Sequence, residues 1–313
     1  MANKAIFNHP NLTSKKTLYF LLVLVVFFWG VNWPIMKLGV QLMPPLWFSA
    51  TRIFLGSIFL FGLLVLQGSI KFPKYSDIKI IITIAIFQIA LPTALIHSGL
   101  LFLGAGRSAF LVFTMPLWVA PLAYFFLKEK LNKVQLLGLI LGLSGITILF
   151  NPIAFNFSDQ SQLLGNGLML LASFSFATAM ILLRFNACST QIIQLVPWQL
   201  FLGSIFLTLT AMFVEGFPNV EWSSTLLVIL IYNGPIASGF CFWAYITISS
   251  GMPAMSTSVG SLGIPVIGVI SSAFILNESL FLYEILGLVS ILFGVFMVSI
   301  ADFRKAQSTN LSE

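Results

Sequence analysis

The sequence predicts an all-α integral membrane protein whose ten transmembrane helices form two inverted five-helix repeats. Three observations support this prediction: the composition, ten long apolar runs, and a match of the chain to itself. Hydrophobic residues make up 58% of the 313 residues and charged residues only 8%, whereas a soluble domain carries about 25% charged residues. So few charges cannot cover a water-facing surface, and most of the surface is therefore expected to face hydrocarbon.

The apolar runs have the length of about 20 residues that a helix needs to cross a bilayer. Backbone groups find no hydrogen-bond partners in lipid, so continuous spans of this kind must be helices. The predicted spans are residues 17–37, 45–66, 78–99, 105–127, 133–150, 163–184, 192–214, 224–247, 253–276 and 281–300. Residues 1–16 and 301–313 are then tails, and the polar segment after Asp302 is predicted to be disordered.

Basic residues cluster on one side of these spans, and this asymmetry sets the predicted orientation. Of the 15 Lys and Arg residues, 12 fall on the side that carries both termini. The opposite side has Lys37 and Arg107, and Arg52 lies within the second span. Both termini and both tails are therefore predicted to be cytoplasmic.

The chain repeats part of its own sequence, which predicts two related halves. The segment Phe54–Leu60 recurs unchanged at Phe201–Leu207, 147 residues later. A longer match at an offset of 149 residues includes the pairs Pro116/Pro265, Glu129/Glu278, Gly138/Gly287 and Gly145/Gly294. Five spans in each half place the second half upside down, so residues 17–150 and 163–300 are predicted to be inverted repeats, the symmetry that alternating access uses.

Three stretches resemble the EamA-type members of the drug/metabolite transporter superfamily. They are the opening Phe28–Trp33 with Lys37, the segment Pro44–Arg52, and the unit that runs from Pro116 through Glu129 to Gly145 and returns from Pro265 through Glu278 to Gly294. The resemblance covers about residues 17–300. It implies a ten-helix, exporter-like bundle that moves small metabolites, often amino acids or related compounds, across a bacterial-type inner (cell) membrane.

The two halves differ in one respect that bears on recognition. The second half has no counterpart of Trp29-Gly30, and Gln199 stands where Arg52 would repeat. Polar recognition is therefore expected mostly from the first half.

Two ionisable residues within spans are candidates for function, because buried charge in lipid is costly. Arg52 could bind a substrate carboxylate through two hydrogen bonds, or it could snorkel to the outer interface or bond a backbone carbonyl. His97 could line the route, carry protons, or lie in a wet interface. No Asp or Glu lies in the middle of a predicted span, so we expect uncoupled transport or coupling through His97.

A polar and aromatic stripe marks one face of the first helix. Trp29, Asn32, Trp33 and Met36 follow the i, i+3, i+4, i+7 spacing of a helix face. This face predicts a cavity that stacks a flat or apolar group while Asn32 bonds a polar one; the alternative is helix packing with Asn32 as an interhelical bond. Further pathway candidates on other spans are Gln88, Asn233, Trp243 and Tyr245, the last of which would also suit an aromatic belt.

Pro116 and Pro265 occupy matching points of the two halves and are predicted to be paired hinges, or else sites of static curvature. Glu129 and Glu278 are expected to be turn or helix-cap residues on opposite sides. The repeated glycines are expected to permit close helix packing.

The sequence therefore predicts a secondary transporter rather than an enzyme, an exporter of small metabolites such as amino acids. The alternatives are a broad exporter of drugs or toxic compounds and an intramembrane enzyme or sensor. The two cysteines, Cys188 and Cys241, form no metal-ligand pattern, and no catalytic residue, cofactor, metal or nucleic-acid partner is predicted. The expected partners are a small-molecule substrate and the lipid bilayer; a monomer is plausible and the oligomeric state stays open.

Overall fold

The computed structural model describes residues 14–128, 131–150, 160–184, 192–218, 220–252, 257, 260–279 and 281–310. We number the long helices of these residues in chain order: α1 Lys15–Leu42, α2 Pro45–Leu66, α3 Tyr75–Gly99, α4 Ala105–Leu127, α5 Lys133–Phe150, α6 Gln160–Arg184, α7 Ile192–Val214, α8 residues 224–251, α9 Gly263–Leu276 and α10 Leu282–Asn310. Helices α1–α4 and α6–α8 contain seven segments that are long and apolar enough to cross a membrane, and shorter apolar helices cover Lys133–Ile148, Gly263–Leu276 and Ile285–Ile300. The predicted all-helical, multi-pass membrane class is confirmed.

Large apolar side chains cover the outer surface of the bundle. Phe20, Phe125 and Phe274 are 62%, 65% and 82% exposed. Such residues would be unfavourable in water, whereas in a membrane their rings contact lipid chains. The exposed phenylalanines thus agree with the membrane environment that the composition predicts.

Several helices extend beyond the predicted spans. Ser14 caps the start of α1 by accepting a hydrogen bond from the Thr17 amide at 3.1 Å. Helix α1 continues to Leu42, so Lys37 lies within the helix rather than at its end. Helix α10 continues to Asn310, and the prediction of disorder after Asp302 is wrong up to that residue, because this polar segment still forms helical backbone hydrogen bonds.

A helix interruption precedes each of the two prolines that were predicted to be hinges. Helix α4 consists of Ala105–Val112 and Met115–Leu127, and Pro116 is the second residue of the latter piece. Helix α9 begins at Gly263, after a turn at Leu262, and Pro265 follows two residues later. Proline is favoured in a first helical turn because its missing N–H has no partner there anyway. Motion at these breaks stays a prediction.

Irregular backbone recurs at corresponding points of the two halves. Helices α3 and α8 contain π-helical segments, Ala85–Ala90 and Tyr232–Phe240, which begin 147 residues apart. The residues directly after α4 and α9 are Lys128 and Asn277, which have φ values of 57° and 54°. Lys128 and Asn277 are 149 residues apart, the offset of the longer sequence match.

Glycines bring α5 and α10 into close contact. A Cβ on Gly294 would lie 2.5 Å from the Gly142 backbone nitrogen, and a Cβ on Gly145 would lie 2.6 Å from the Gly287 carbonyl oxygen. Small residues allow helix backbones to approach in this way within a membrane. Extensive packing also joins α1 with α8 and α9, α2 with α7 and α8, α3 with α6 and α7, and α4 with α6.

Candidate functional site

The guanidinium of Arg52 lies inside the bundle, where α1, α2, α3 and α8 meet. Its side chain is 7% exposed. Nε and Nη2 donate to the Ser238 hydroxyl on α8 at 3.2 and 3.1 Å. Nη1 lies 2.7 Å from the Met36 sulfur on α1 and 3.2 Å from His97 Nε2 on α3. The alternative in which Arg52 snorkels to the outer interface is therefore wrong.

His97 is fully buried beside Arg52. Because a guanidinium only donates, the contact with Arg52 makes His97 Nε2 the acceptor and assigns the proton of a neutral ring to Nδ1. That Nδ1–H then donates to the Ser49 hydroxyl, which itself donates to the Pro45 carbonyl at 2.7 Å. The alternative of a wet His97 is wrong, because the ring is buried beside Phe48 and Arg52.

We call Arg52, His97, Ser49, Ser238 and Met36 the Arg52 cluster. Among the described residues, no carboxylate lies within ion-pair distance of its guanidinium. A buried charge without a counter-ion is unfavourable. Here the cation is solvated by neutral hydroxyl, thioether and imidazole groups. An anion that entered the cluster would supply the missing charge and two oxygen acceptors for the guanidinium fork.

The predicted stripe on α1 faces α8 and α9. The Trp29 indole donates to the Ala237 carbonyl of α8 at 2.9 Å, and its ring lies 5.3 Å from that of Tyr245. Trp33 is buried against α9, because a Cβ on Gly268 would lie 3.1 Å from the Trp33 ring. The stripe therefore packs inside the protein, away from lipid.

Two buried amides near the Arg52 cluster have carbonyl oxygens without a hydrogen-bond partner. Asn32 is 3% exposed and its Oδ1 is unpaired. It lies one helical turn before Met36, about 6 Å along the α1 axis. Asn233, in the π-helical segment of α8, donates to the Ile229 carbonyl at 3.0 Å, but its Oδ1 is also unpaired. Buried polar atoms normally have partners, so these two acceptors indicate a place for a donor.

The remaining predicted residues make no hydrogen bond to the cluster within the described part of the chain. Gln88 is half-buried in the π-helical segment of α3, and no hydrogen bond joins it to Arg52 or His97. Trp243 packs against Phe240 with ring centroids 6.0 Å apart. Gln199, which stands at the repeat position of Arg52, is buried with an unpaired Nε2. The structure thus joins Arg52 and His97 directly and places Asn32 one turn away.

The sequence analysis missed Ser49 as a member of this cluster. Ser49 precedes Arg52 by three residues and so shares its helix face, a signal that was present in the sequence. Ser238 lies on α8, in the other half of the chain. Its contact with Arg52 spans 186 positions of the chain and had no local signal.

Comparisons with known proteins point to one family. Residues 16–151 and 163–300 match the model of the EamA-like transporter family. The uncharacterized transporter YoaV of Bacillus subtilis (strain 168) is 29% identical over 284 residues, which cover 91% of this chain and 97% of YoaV.

Two further similarities agree with this match. A probable amino-acid metabolite efflux pump of Salmonella typhimurium (strain LT2) is 26% identical over 306 residues, which cover 94% of this chain and 98% of the pump. A crystal structure with 16% identity superposes with a TM-score of 0.59 over 89% of this chain and 96% of its own. At that identity the superposition supports the fold alone.

Proposed function

The chain belongs to the EamA-like transporter family, and from this premise we propose that it is a secondary transporter that exports small metabolites such as amino acids across the inner membrane. In this proposal the Arg52 cluster binds the carboxylate of the solute. The observation that carries the proposal is a buried guanidinium that contacts three other helices but no carboxylate among the described residues.

Alternating access requires two halves that exchange roles, and the packing supports this. In two repeats of five helices, each helix of the first half corresponds to the helix five positions later. The packing of α1 against α9 then corresponds to that of α6 against α4, and the packing of α2 against α8 corresponds to that of α7 against α3. The contacts of Gly138 with Gly294 and of Gly145 with Gly287 likewise exchange under the 149-residue offset. We propose that residues 17–150 and 163–300 are two inverted repeats of five spans each, with both termini cytoplasmic.

The chemistry of the proposed site matches both ends of an amino acid. The Arg52 guanidinium binds the carboxylate, replacing its bonds to Ser238. The unpaired carbonyl oxygens of Asn32 and Asn233 accept hydrogen bonds from the ammonium group. Trp29 and Tyr245 provide an aromatic surface for the side chain.

Solute flux into liposomes that contain the purified protein tests this proposal. We expect amino acids to move faster than their amides, which lack the carboxylate, at equal concentration. Flux with and without a pH gradient separates uncoupled transport from proton coupling through His97. If no compound of an amino-acid and metabolite panel moves or raises the melting temperature, the proposed function is wrong.

Two alternatives remain to be tested. A broad exporter of toxic compounds would use the aromatic surface of α1, and overexpression would then raise drug resistance without moving amino acids.

An intramembrane enzyme would need Arg52 and His97 close together, and the structure places them in contact, with His97 also bonded to Ser49. An enzyme would change its substrate chemically, whereas we expect mass spectrometry to recover the transported solute unaltered.

Replacement of Trp29 by Phe is expected to reduce flux about tenfold or less while folded yield is unchanged. The substitution removes the bond from the indole to the Ala237 carbonyl, which is worth about 1 kcal/mol, and it reduces the aromatic surface. Flux in liposomes and yield after gel filtration measure the two effects. Phe27→Leu on the exposed side of the same helix is the control; if both variants lose flux equally, Trp29 does not line the site.

A further inference from the structure

Two carboxylates join the halves at the same end of the bundle. Glu278, in the turn between α9 and α10, accepts hydrogen bonds from the amides of Ala105 and Gly106, at 2.7 and 3.1 Å. Glu215, which follows α7, accepts hydrogen bonds from the amides of Leu46 and Trp47 at 2.9 and 3.2 Å. In both cases a residue from the second half caps the start of a helix in the first half.

The two hydrogen bonds that Glu278 accepts are well placed to hold this end of the bundle closed. The first amides of a helix lack internal partners, and Gly104 gives the start of α4 no side-chain cap of its own. A carboxylate there is favoured by its charge and by the helix dipole. Separation of α9 from α4 would leave these amides unpaired unless water entered, so opening of this end is coupled to the entry of water.

The backbone around Glu278 is shaped for this contact. Asn277 adopts a left-handed conformation that ends α9, a position that asparagine tolerates better than most residues. Gly104 leaves the space that the carboxylate occupies, since a Cβ on it would lie 3.0 Å from Glu278 Oε2. Lys37 donates to the Leu103 carbonyl at 3.0 Å, just before the start of α4.

Only the carboxylate of Glu278 has a counterpart in the other half. Glu129 stands 149 residues before it in the sequence match, whereas the positions 147 and 149 residues before Glu215 are Gly68 and Leu66. The contacts of Glu129 lie outside the described residues. Helices α2 and α7, which Glu215 joins, are also bonded within the bundle, where Ser57 donates to the Pro197 carbonyl at 2.9 Å.

We propose that Glu278 is the gate residue of the outer side, which holds α9 against α4 and must release Ala105 and Gly106 before the Arg52 cluster opens outward. Glu215, in contrast, fastens α2 to α7 in every state. This inference rests on the proposed alternating access and its orientation.

Thiol labelling of a buried reporter tests the gate independently of transport. Ala109 lies one helical turn beyond Ala105, is fully buried, and faces Gly268 of α9. Ala109→Cys is introduced after the native Cys188 and Cys241 are changed to serine. A membrane-impermeant maleimide is then added to intact cells or to inside-out vesicles, and the labelling rate from each side is measured.

Glu278→Gln keeps one oxygen acceptor but removes the charge and the second bond, so we expect labelling from outside to rise about tenfold. Glu215→Gln makes the same change in a matching cap and is expected to alter the rate less than twofold.

The outcomes separate the gate from the proposed function. If Glu278→Gln lowers the melting temperature but leaves labelling unchanged, Glu278 is a static cap and the gate is overturned. An equal rise in labelling for Glu215→Gln would also overturn it. If labelling responds as expected while no solute of the panel moves, the gate stands and the proposed amino-acid export fails.

Discussion

Replacement of Arg52 by glutamine is expected to lower the apparent affinity for amino acids by about 10- to 150-fold, with folded protein still recovered. A hydrogen bond that involves a charged group contributes about 1.5–3 kcal/mol, and the guanidinium can offer two such bonds to a carboxylate. Glutamine can still donate to Ser238, which preserves part of the packing. Concentration dependence of flux in liposomes measures the change.

The preference for an amino acid over its amide is the decisive readout for Arg52. We expect Arg52→Gln to abolish this preference and Arg52→Lys to keep part of it, because lysine retains the charge without the planar fork. The control is Arg107→Gln, the same change at another buried arginine, whose Nε donates to Asn166 at 3.1 Å. Arg107→Gln should reduce thermal stability and leave the preference intact; a preference that survives in Arg52→Gln contradicts the proposed carboxylate site.

Replacement of Gly294 by leucine is expected to destabilise the protein by about 3 kcal/mol or to prevent folding. The new Cβ would lie 2.5 Å from the Gly142 nitrogen and 2.6 Å from the Gly138 carbonyl oxygen. These neighbours are backbone atoms, so α5 and α10 must move apart to make room. Overpacking of this kind costs about 1–3 kcal/mol or more, and the melting temperature in detergent measures it.

Gly62→Leu on α2 is the matched control for this packing. Nothing lies within 4 Å of a Cβ on Gly62, and leucine favours helix more than glycine by nearly 1 kcal/mol. We therefore expect the melting temperature to be unchanged or higher. A Gly294→Leu protein as stable as wild type would show that α5 and α10 do not approach through their glycines.

The helices could be predicted because each depends on residues that are neighbours in the sequence. A run of about 20 apolar residues needs no knowledge of its neighbours to be identified as a span, and α2 indeed begins at Pro45 as predicted. The ends were less predictable, because a helix continues past the membrane when its polar residues still favour it. This is why α1 runs on to Leu42 and α10 to Asn310.

The candidate site could be predicted only in its separate parts. Arg52 and His97 stood out because a charge or an imidazole within an apolar span is unusual. Their mutual contact depends on how α2 packs against α3, which no local pattern encodes. The π-helical segments are a change of hydrogen-bond register and leave no clear sequence mark, so Ala85–Ala90 was read as part of a regular helix.

The role of Glu278, the proposed gate residue, could likewise be predicted only in part. The sequence match identified it as a turn or cap residue, and the structure places it at a cap. The capped helix, however, begins 173 residues away in the chain, at Ala105. Only the packing of α9 against α4 brings the two together.

The central claim of this account is that the second half of the chain is inverted relative to the first. Cysteines placed singly at Lys128 and Asn277, the left-handed residues that end α4 and α9, test it most directly in a background without native cysteines. We predict that a membrane-impermeant maleimide added to intact cells labels the cysteine at 277 but reaches the one at 128 only after the membrane is opened. Labelling of both positions from the same side would contradict the claim.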